Sequence, residues 1–245
     1  MTGPAELWVA QGGPVIPDFG EGSDCVVDNR LFCPDWVRDN WSGVLQPALV
    51  QHVELTLIAV AVGFVISLAA ALLTHRYRPL ERPFGTFSAI VYTIPSLALF
   101  QLLVPVTGLT VTTVEVALVG YTLLILYRNI LEGLRSVPPD VLEAARGMGL
   151  TRTQTLWRVE VPLAIPATMA GLRIAVVSTI ALGTVAALVI PKGLGYPIFI
   201  ALRDAFNTEI LAAGLLAILL ALIADALLVV AERALTPWSR TRRVG

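Results

Sequence analysis

Few side chains in this sequence are placed to do covalent chemistry. The two histidines, His52 and His75, stand too far apart for the HExxH spacing that sets two imidazoles on one helix face. The only lysine, Lys192, is followed by Gly193 and not by Ser or Thr, so the glycine-rich loop that cradles nucleotide phosphates is missing. A Gly-x-Ser-x-Gly nucleophile elbow is likewise absent. No catalytic residue and no metal centre is expected, and the chain cannot split ATP by that route. Energy for any work it performs must come from a partner or an ion gradient.

The remaining polar candidates sit in apolar surroundings. Glu115, Arg173 and Asp225 fall inside long hydrophobic stretches, where a charge is costly and a functional role must be weighed. Arg173 lies close enough to one end of its stretch to snorkel, Asp225 close enough to pair there, and Glu115 near the opposite surface. All three read as structural; the rival is a proton-carrying role for Glu115 or Asp225. Uncharged candidates within the same stretches are Thr93, Pro95, Ser96, Gln101, Ser178, Thr179 and Thr184. They could line a pathway, or serve as interhelical hydrogen bonds and packing kinks.

The elements that must carry these residues follow from composition. Of 245 residues, 56% are hydrophobic and 14% charged, against about 25% charged in soluble domains. Helices apolar all round need a lipid solvent, so the fold class expected is an all-α polytopic membrane protein. A crossing takes about 20 residues, and five spans qualify: 55–73, 84–104 with Pro95 inside it, 109–127, 164–190 and 210–231. Net charge is −1, which gives no global field for nucleic acid.

Charge distribution orients the spans. The connections on one side carry Arg76, Arg78, Arg82, Arg128, Arg135, Arg146, Arg152, Arg158, Arg233, Arg240, Arg242 and Arg243; the other side has Arg30, Arg38, Lys192 and Arg203. The positive-inside rule then puts the N-terminus outside and the C-terminus, a basic tail over 236–245, in the cytoplasm. Residues 1–50 form an acidic extracytoplasmic segment without a signal-peptide pattern. It is loop-like, with a short helix near residues 36–41. Cys25 and Cys33 fall in it, on the oxidising side. A disulfide between them would contribute roughly 2–3 kcal/mol through chain entropy; the alternative is two free thiols in a mobile tail.

The densest local information lies in the loop over 128–165. Asp140 follows two prolines and precedes Glu143 by three residues, the spacing of a capping box. Val141, Leu142, Ala145 and Met148 then share a helical face, and Gly149 suits a left-handed cap. Thr151 with Gln154 repeats the capping pattern and starts a second short helix, which Pro162 is expected to end. Two short helices at an angle also resemble a DNA-binding helix-turn-helix. Only about 35 residues separate the flanking spans, however, which leaves no room for a third helix, and no nucleic-acid partner is expected. Two capping patterns are more order than a passive connection needs.

Glu143-Ala144-Ala145-x-x-x-Gly149, nine residues, then Val159-x-Val161-Pro162 resembles the EAA loop of ABC-importer permeases, the binding-protein-dependent inner-membrane components. The usual ending is Ile-x-Leu-Pro; both aliphatics here are valine. The resemblance implies a type I importer fold (MetI-like), over about residues 51–235, in the plasma (inner) membrane of a bacterium. It implies a coupling helix within 138–162 that docks on a cytoplasmic ATPase subunit, with Glu143 and Arg146 as rim contacts, Ala144 and Ala145 allowing close approach, Gly149 the turn and Pro162 the end of the loop. Its implied partners are two ATPase subunits, a second permease subunit and an external substrate-binding protein. The cofactors, ATP and magnesium, would be bound by the ATPase and none by this chain.

Thr93-Ile-Pro-Ser-Leu-Ala-Leu99 resembles the corresponding stretch of the osmoprotectant branch, which moves glycine betaine, choline, carnitine or proline betaine. Gly193-Leu194-Gly195 is similar to that branch's Gly-Gly-Leu-Gly outer turn, with Pro191-Lys192 replacing smaller residues before it. A permease for methionine or another amino acid shares the EAA loop and stays open, as does an ion-coupled secondary transporter. Aromatic cages grip quaternary ammonium groups well, but no aromatic cluster is visible along these spans. The sequence therefore assigns selectivity to the binding protein.

Overall fold

The computed structural model describes residues 23–237. The acidic residues Glu6, Asp18 and Glu21 and most of the basic tail lie outside the described residues. Every element within them is helical. Two short helices, α1 (Asp24–Val27) and α2 (Pro34–Asp39), lead through a π-helical turn at Trp41–Leu45 into α3 (Gln46–Arg76). A broken pair follows, α4 (Glu81–Thr93) and α5 (Ser96–Thr107), then the long α6 (Val111–Arg135). Next come the short α7 (Pro139–Gly147) and α8 (Arg152–Thr155), then α9 (Val161–Val185), α10 (Gly195–Arg203) and α11 (Asn207–Leu235).

Among the described residues four helical runs are long and apolar enough to cross a membrane, and the bent α4–α5 pair is a fifth when its halves are counted as one span. The expected count stands, but the second span is not one rod: its halves diverge by 103°. Pro95 forces Ile94 out of helical geometry (ψ 128°) and becomes the residue before the first turn of α5. The other runs are longer than hydropathy suggested. Helix α3 already starts at Gln46, so the expected boundary at residue 50 falls inside it.

Helix α6 is the hub, packed on α3 and α9. Over half of its apolar window is buried (56%), against 6% for α11. The buried face of α3 is built mostly from small and weakly polar residues. It reads Ala48, His52, Leu55, Thr56, Ala59, Val60, Gly63, Ser67, Ala71 and Thr74, while Leu57, Val65 and Leu73 face outward. This inverts the soluble pattern, because lipid chains solvate leucine as well as a protein interior does and small residues let backbones approach. A Cβ on Gly63 would overlap the Thr122 hydroxyl, one on Gly171 would press on Asn129, and one on Gly133 would meet the Ala164 carbonyl.

Residues 23–45 pack onto the fold, with the expected short helix at α2 (Pro34–Asp39). Cys25 and Cys33 are joined in a disulfide, and the hairpin it closes is sewn to the α10–α11 turn. Asn29 Nδ2 donates to the Ala205 carbonyl (2.8 Å) and its Oδ1 accepts from Asn207 N–H (3.1 Å). The Cys33 N–H donates to Thr208 Oγ1 (3.1 Å), and Trp36 meets Phe206 edge-to-face at 5.1 Å.

Overpacking of a filled helix interface costs about 1–3 kcal/mol. Gly63→Ala is therefore expected to lower the thermal midpoint of the detergent-extracted protein, followed by size-exclusion recovery after heating. Gly147→Ala, which meets nothing within 4 Å, is expected to leave it unchanged.

Candidate functional site

The loop between α6 and α9 holds its short helix by local caps at one end and by prolines at the other. Asp140 is not the N-cap expected: Pro138 holds that place, Pro139 opens the helix, and no side chain caps it. A proline at the first helical position has no N–H to leave unpaired, so the capping box is unnecessary. At the far end Gly149 is left-handed (φ 79°). Its N–H donates to the Arg146 carbonyl (2.9 Å) and that of Leu150 to Ala145 (3.1 Å), the paired bonds of a Schellman cap. The Thr151–Gln154 capping box is complete, with both reciprocal bonds formed.

Pro162 does not end a second short helix. Helix α8 passes through a π-helical turn at Leu156–Glu160 directly into α9, with Pro162 in its first turn. In that wide turn the Val161 N–H reaches back to the Leu156 carbonyl, which makes room for the proline ring. Glu143, Ala144 and Arg146 are exposed on α7, with Met148 (73% exposed) and Trp157 (55% exposed) close by in sequence. Ala145 is buried in its own chain, which leaves Ala144 as the small residue open to a partner.

Polar side-chain pairs between different segments fix this end of the bundle. His75 Nε2 meets Glu160 Oε2 at 2.7 Å, tying the end of α3 to the π-helical turn. Arg135 holds Glu81 through two bonds (2.8 and 2.6 Å), joining α6 to the start of α4. Asp225 pairs as expected, and its partner is Arg173, which holds it through two bonds (2.7 and 3.0 Å) and clamps α9 to α11. Glu115 is half-buried on α6, and neither carboxylate oxygen has a hydrogen-bond partner.

A cavity of about 420 Å³ opens at the α4–α5 break. It brings together Thr93, Pro95 and Ser96 with Ser178 and Thr179 of α9. Gln101 and Thr184 are not among its lining residues; Gln101 is exposed on α5 and the Thr184 hydroxyl donates to the Ala181 carbonyl (2.7 Å). Among the lining residues that the sequence did not point to are two tyrosines. Tyr92 and Tyr121, from α4 and α6, meet edge-to-face at 6.0 Å, so the spans do hold an aromatic pair. Tyr121 also donates its hydroxyl to the Ile94 carbonyl, which the break leaves without a helical partner.

At the opposite end, Gly193 and Gly195 shape the turn between α9 and α10. Gly193 is left-handed (φ 72°), and a Cβ on Gly195 would collide with the Thr184 carbonyl. The turn is latched by His52, a residue the sequence reading set aside. Its Nδ1 accepts from the Leu194 N–H (3.2 Å), so its proton sits on Nε2 and is donated to the Ile180 carbonyl (3.0 Å). Gln51 accepts from the Gly193 N–H beside it (3.2 Å). A histidine facing small residues within an apolar helix was the one available pointer.

Residues 63–240 match the family described as binding-protein-dependent transport system inner membrane component. The chain belongs to that family. As a member of it, this permease is 34% identical over 188 residues to the glycine betaine/carnitine/choline transport system permease protein OpuCB of Bacillus subtilis, covering 76% of this chain and 86% of that protein. It is also 34% identical over 207 residues to the osmoprotectant import permease protein OsmW of Salmonella typhimurium, covering 82% and 96%. The fold matches a chain of the inward-facing MetNI methionine ABC transporter, with a TM-score of 0.66 at 22% identity, over 81% of this chain and 99% of that one. The permease is thus a multi-pass inner-membrane protein with a MetI-like fold and no ATPase site of its own.

Removing the His52 imidazole leaves the buried Leu194 N–H without its acceptor, at about 1–3 kcal/mol. His52→Ala is expected to lower the thermal midpoint of the extracted permease sharply, measured by the same heating assay.

Proposed function

We propose that this chain is the permease subunit of an ATP-driven importer for small osmoprotectants bearing a quaternary ammonium group: glycine betaine, choline, carnitine or proline betaine. The observation that carries the reading is the likeness to osmoprotectant permeases along nearly their whole length, 96% in the case of OsmW. A binding protein delivers the solute from outside, and two permease subunits, of one kind or two, form the pathway within the bilayer. Two cytoplasmic ATPase subunits bind ATP and magnesium and supply the work. No cofactor resides in the permease itself.

Helix α7 is the coupling element in this scheme. Its exposed Glu143, Ala144 and Arg146 would seat in a cleft of the ATPase, with Ala145, Gly149 and Pro162 shaping the element from behind. Closure of two ATPase subunits would draw two such helices together and rock the bundle between its two access states. The arginine-rich connections Arg76 to Arg82, Arg128 to Arg158 and Arg233 support a cytoplasmic α7 end. That orientation sets the N-terminus and the Cys25–Cys33 hairpin outside. Thr93, Pro95, Ser96, Ser178 and Thr179 are the pathway residues that the cavity supports, and Gly193 and Gly195 form the outer turn.

A second reading draws on a match of 40% identity over 135 residues to the ergothioneine transport permease/ergothioneine binding protein EgtU of Helicobacter pylori, which covers 55% of this chain and 24% of that one. Ergothioneine is itself a trimethylammonium betaine, so both readings share the cationic head. The amino-acid reading rests on likeness of fold alone.

Cells expressing the full complex are expected to take up labelled choline or glycine betaine at high osmolarity only when the ATPase subunit is present. Uptake that survives its deletion but collapses with an uncoupler would instead identify an ion-coupled transporter. Glu143→Arg is expected to leave membrane insertion intact and abolish co-purification of the ATPase; unchanged co-purification would remove α7 as the coupling element.

A further inference from the structure

Helices α4 and α6 place Tyr92 and Tyr121 at 6.0 Å with their planes 69° apart, so the two rings form adjoining walls of the cavity at the α4–α5 break. Tyr121 is buried and locked there by its bond to the Ile94 carbonyl, whereas Tyr92 is 44% exposed and leans over the opening. The three threonine hydroxyls around them have committed their protons: Thr93 to the Ala89 carbonyl (2.7 Å), Thr122 to Val119 (2.8 Å) and Thr179 to Ala175 (2.7 Å). What remains on these oxygens is lone pairs. The two rings and these lone pairs offer a cation partial negative charge, and none of the residues lining the cavity carries a full charge.

Such a site distinguishes between kinds of cation. A primary ammonium strongly retains water and needs acceptors for three N–H groups, which in a dry site ordinarily include a carboxylate. A quaternary ammonium has no N–H, spreads its charge over methyl groups and is satisfied by aromatic faces. The absence of a charged partner also keeps the hold weak, as release into the cell requires.

We propose that Tyr92 and Tyr121 form a transit subsite for the quaternary ammonium head of the solute, at the joint of the broken span. The proposal rests on the osmoprotectant reading above and names where the permease itself reads the substrate. Selectivity is then shared between the binding protein and the permease.

The test is uptake of labelled choline by vesicles holding the complete complex, with its ATPase and binding protein, and with Tyr92 replaced in turn by Phe, Trp and Leu. The exposed position tolerates each side chain, and only the first two keep a ring. Tyr92→Phe and Tyr92→Trp are expected to retain uptake within about twofold, and Tyr92→Leu to lose roughly five- to tenfold. Equal uptake by the Leu and wild-type complexes would overturn the subsite while leaving the osmoprotectant reading intact. Equal losses in the Phe and Leu variants would assign the effect to the hydroxyl and overturn it as well. A wild-type complex that moves no quaternary ammonium would overturn both.

Discussion

The whole bundle depends on how closely α3, α6 and α9 can approach one another. In lipid there is no hydrophobic force to press helices together, because acyl chains accept a leucine as readily as another helix does. Contact must come from backbones that fit, and here Gly63, Gly133 and Gly171 stand where any side chain would strike a neighbour. Helix α6 can therefore sit between α3 and α9, and it positions both candidate regions. One end carries α7 outward, and the middle forms a wall of the cavity at the break.

The break itself is an exercise in satisfying backbone groups without water. A bend of 103° inside an apolar stretch strands carbonyls that a continuous helix would have paired, and the membrane interior offers nothing else to bond them. The Tyr121 hydroxyl reaches Ile94 from the neighbouring helix, so a residue of α6 fixes the geometry of α4 and α5. The turn after α9 solves the same problem with His52, one ring nitrogen serving as acceptor and the other as donor. At both places the polar residue that completes the backbone also shapes the cavity or turn beside it.

The α7 end is stiffened differently. Arg135–Glu81, His75–Glu160 and Arg173–Asp225 each tie a different pair of segments, so the α7 loop leaves a braced frame and not a flexible stalk. The continuous run from α8 through the π-helical turn into α9 adds to this. An element that starts beside α7 ends at the His52-latched turn across the bundle. The Cys25–Cys33 hairpin packs beyond that turn, on the α10–α11 connection.

The sequence by itself determined what depends on neighbours along the chain or on bulk solvation. Apolar length marked the candidate spans, and Gly149 and the Thr151–Gln154 pair specified caps whose bonds close within five residues. Tertiary structure decided which face of each helix turns inward. Hydropathy is nearly equal on all sides of α3 and α9, so no period marks the buried stripe. It also decided the partners of Tyr92, Tyr121, His52 and Arg173, which are far apart in the chain, and the docking of residues 23–45. Pro162 was misjudged for the same reason: alone, a proline argues for a helix end, and only the wide turn ahead of it lets α9 begin there.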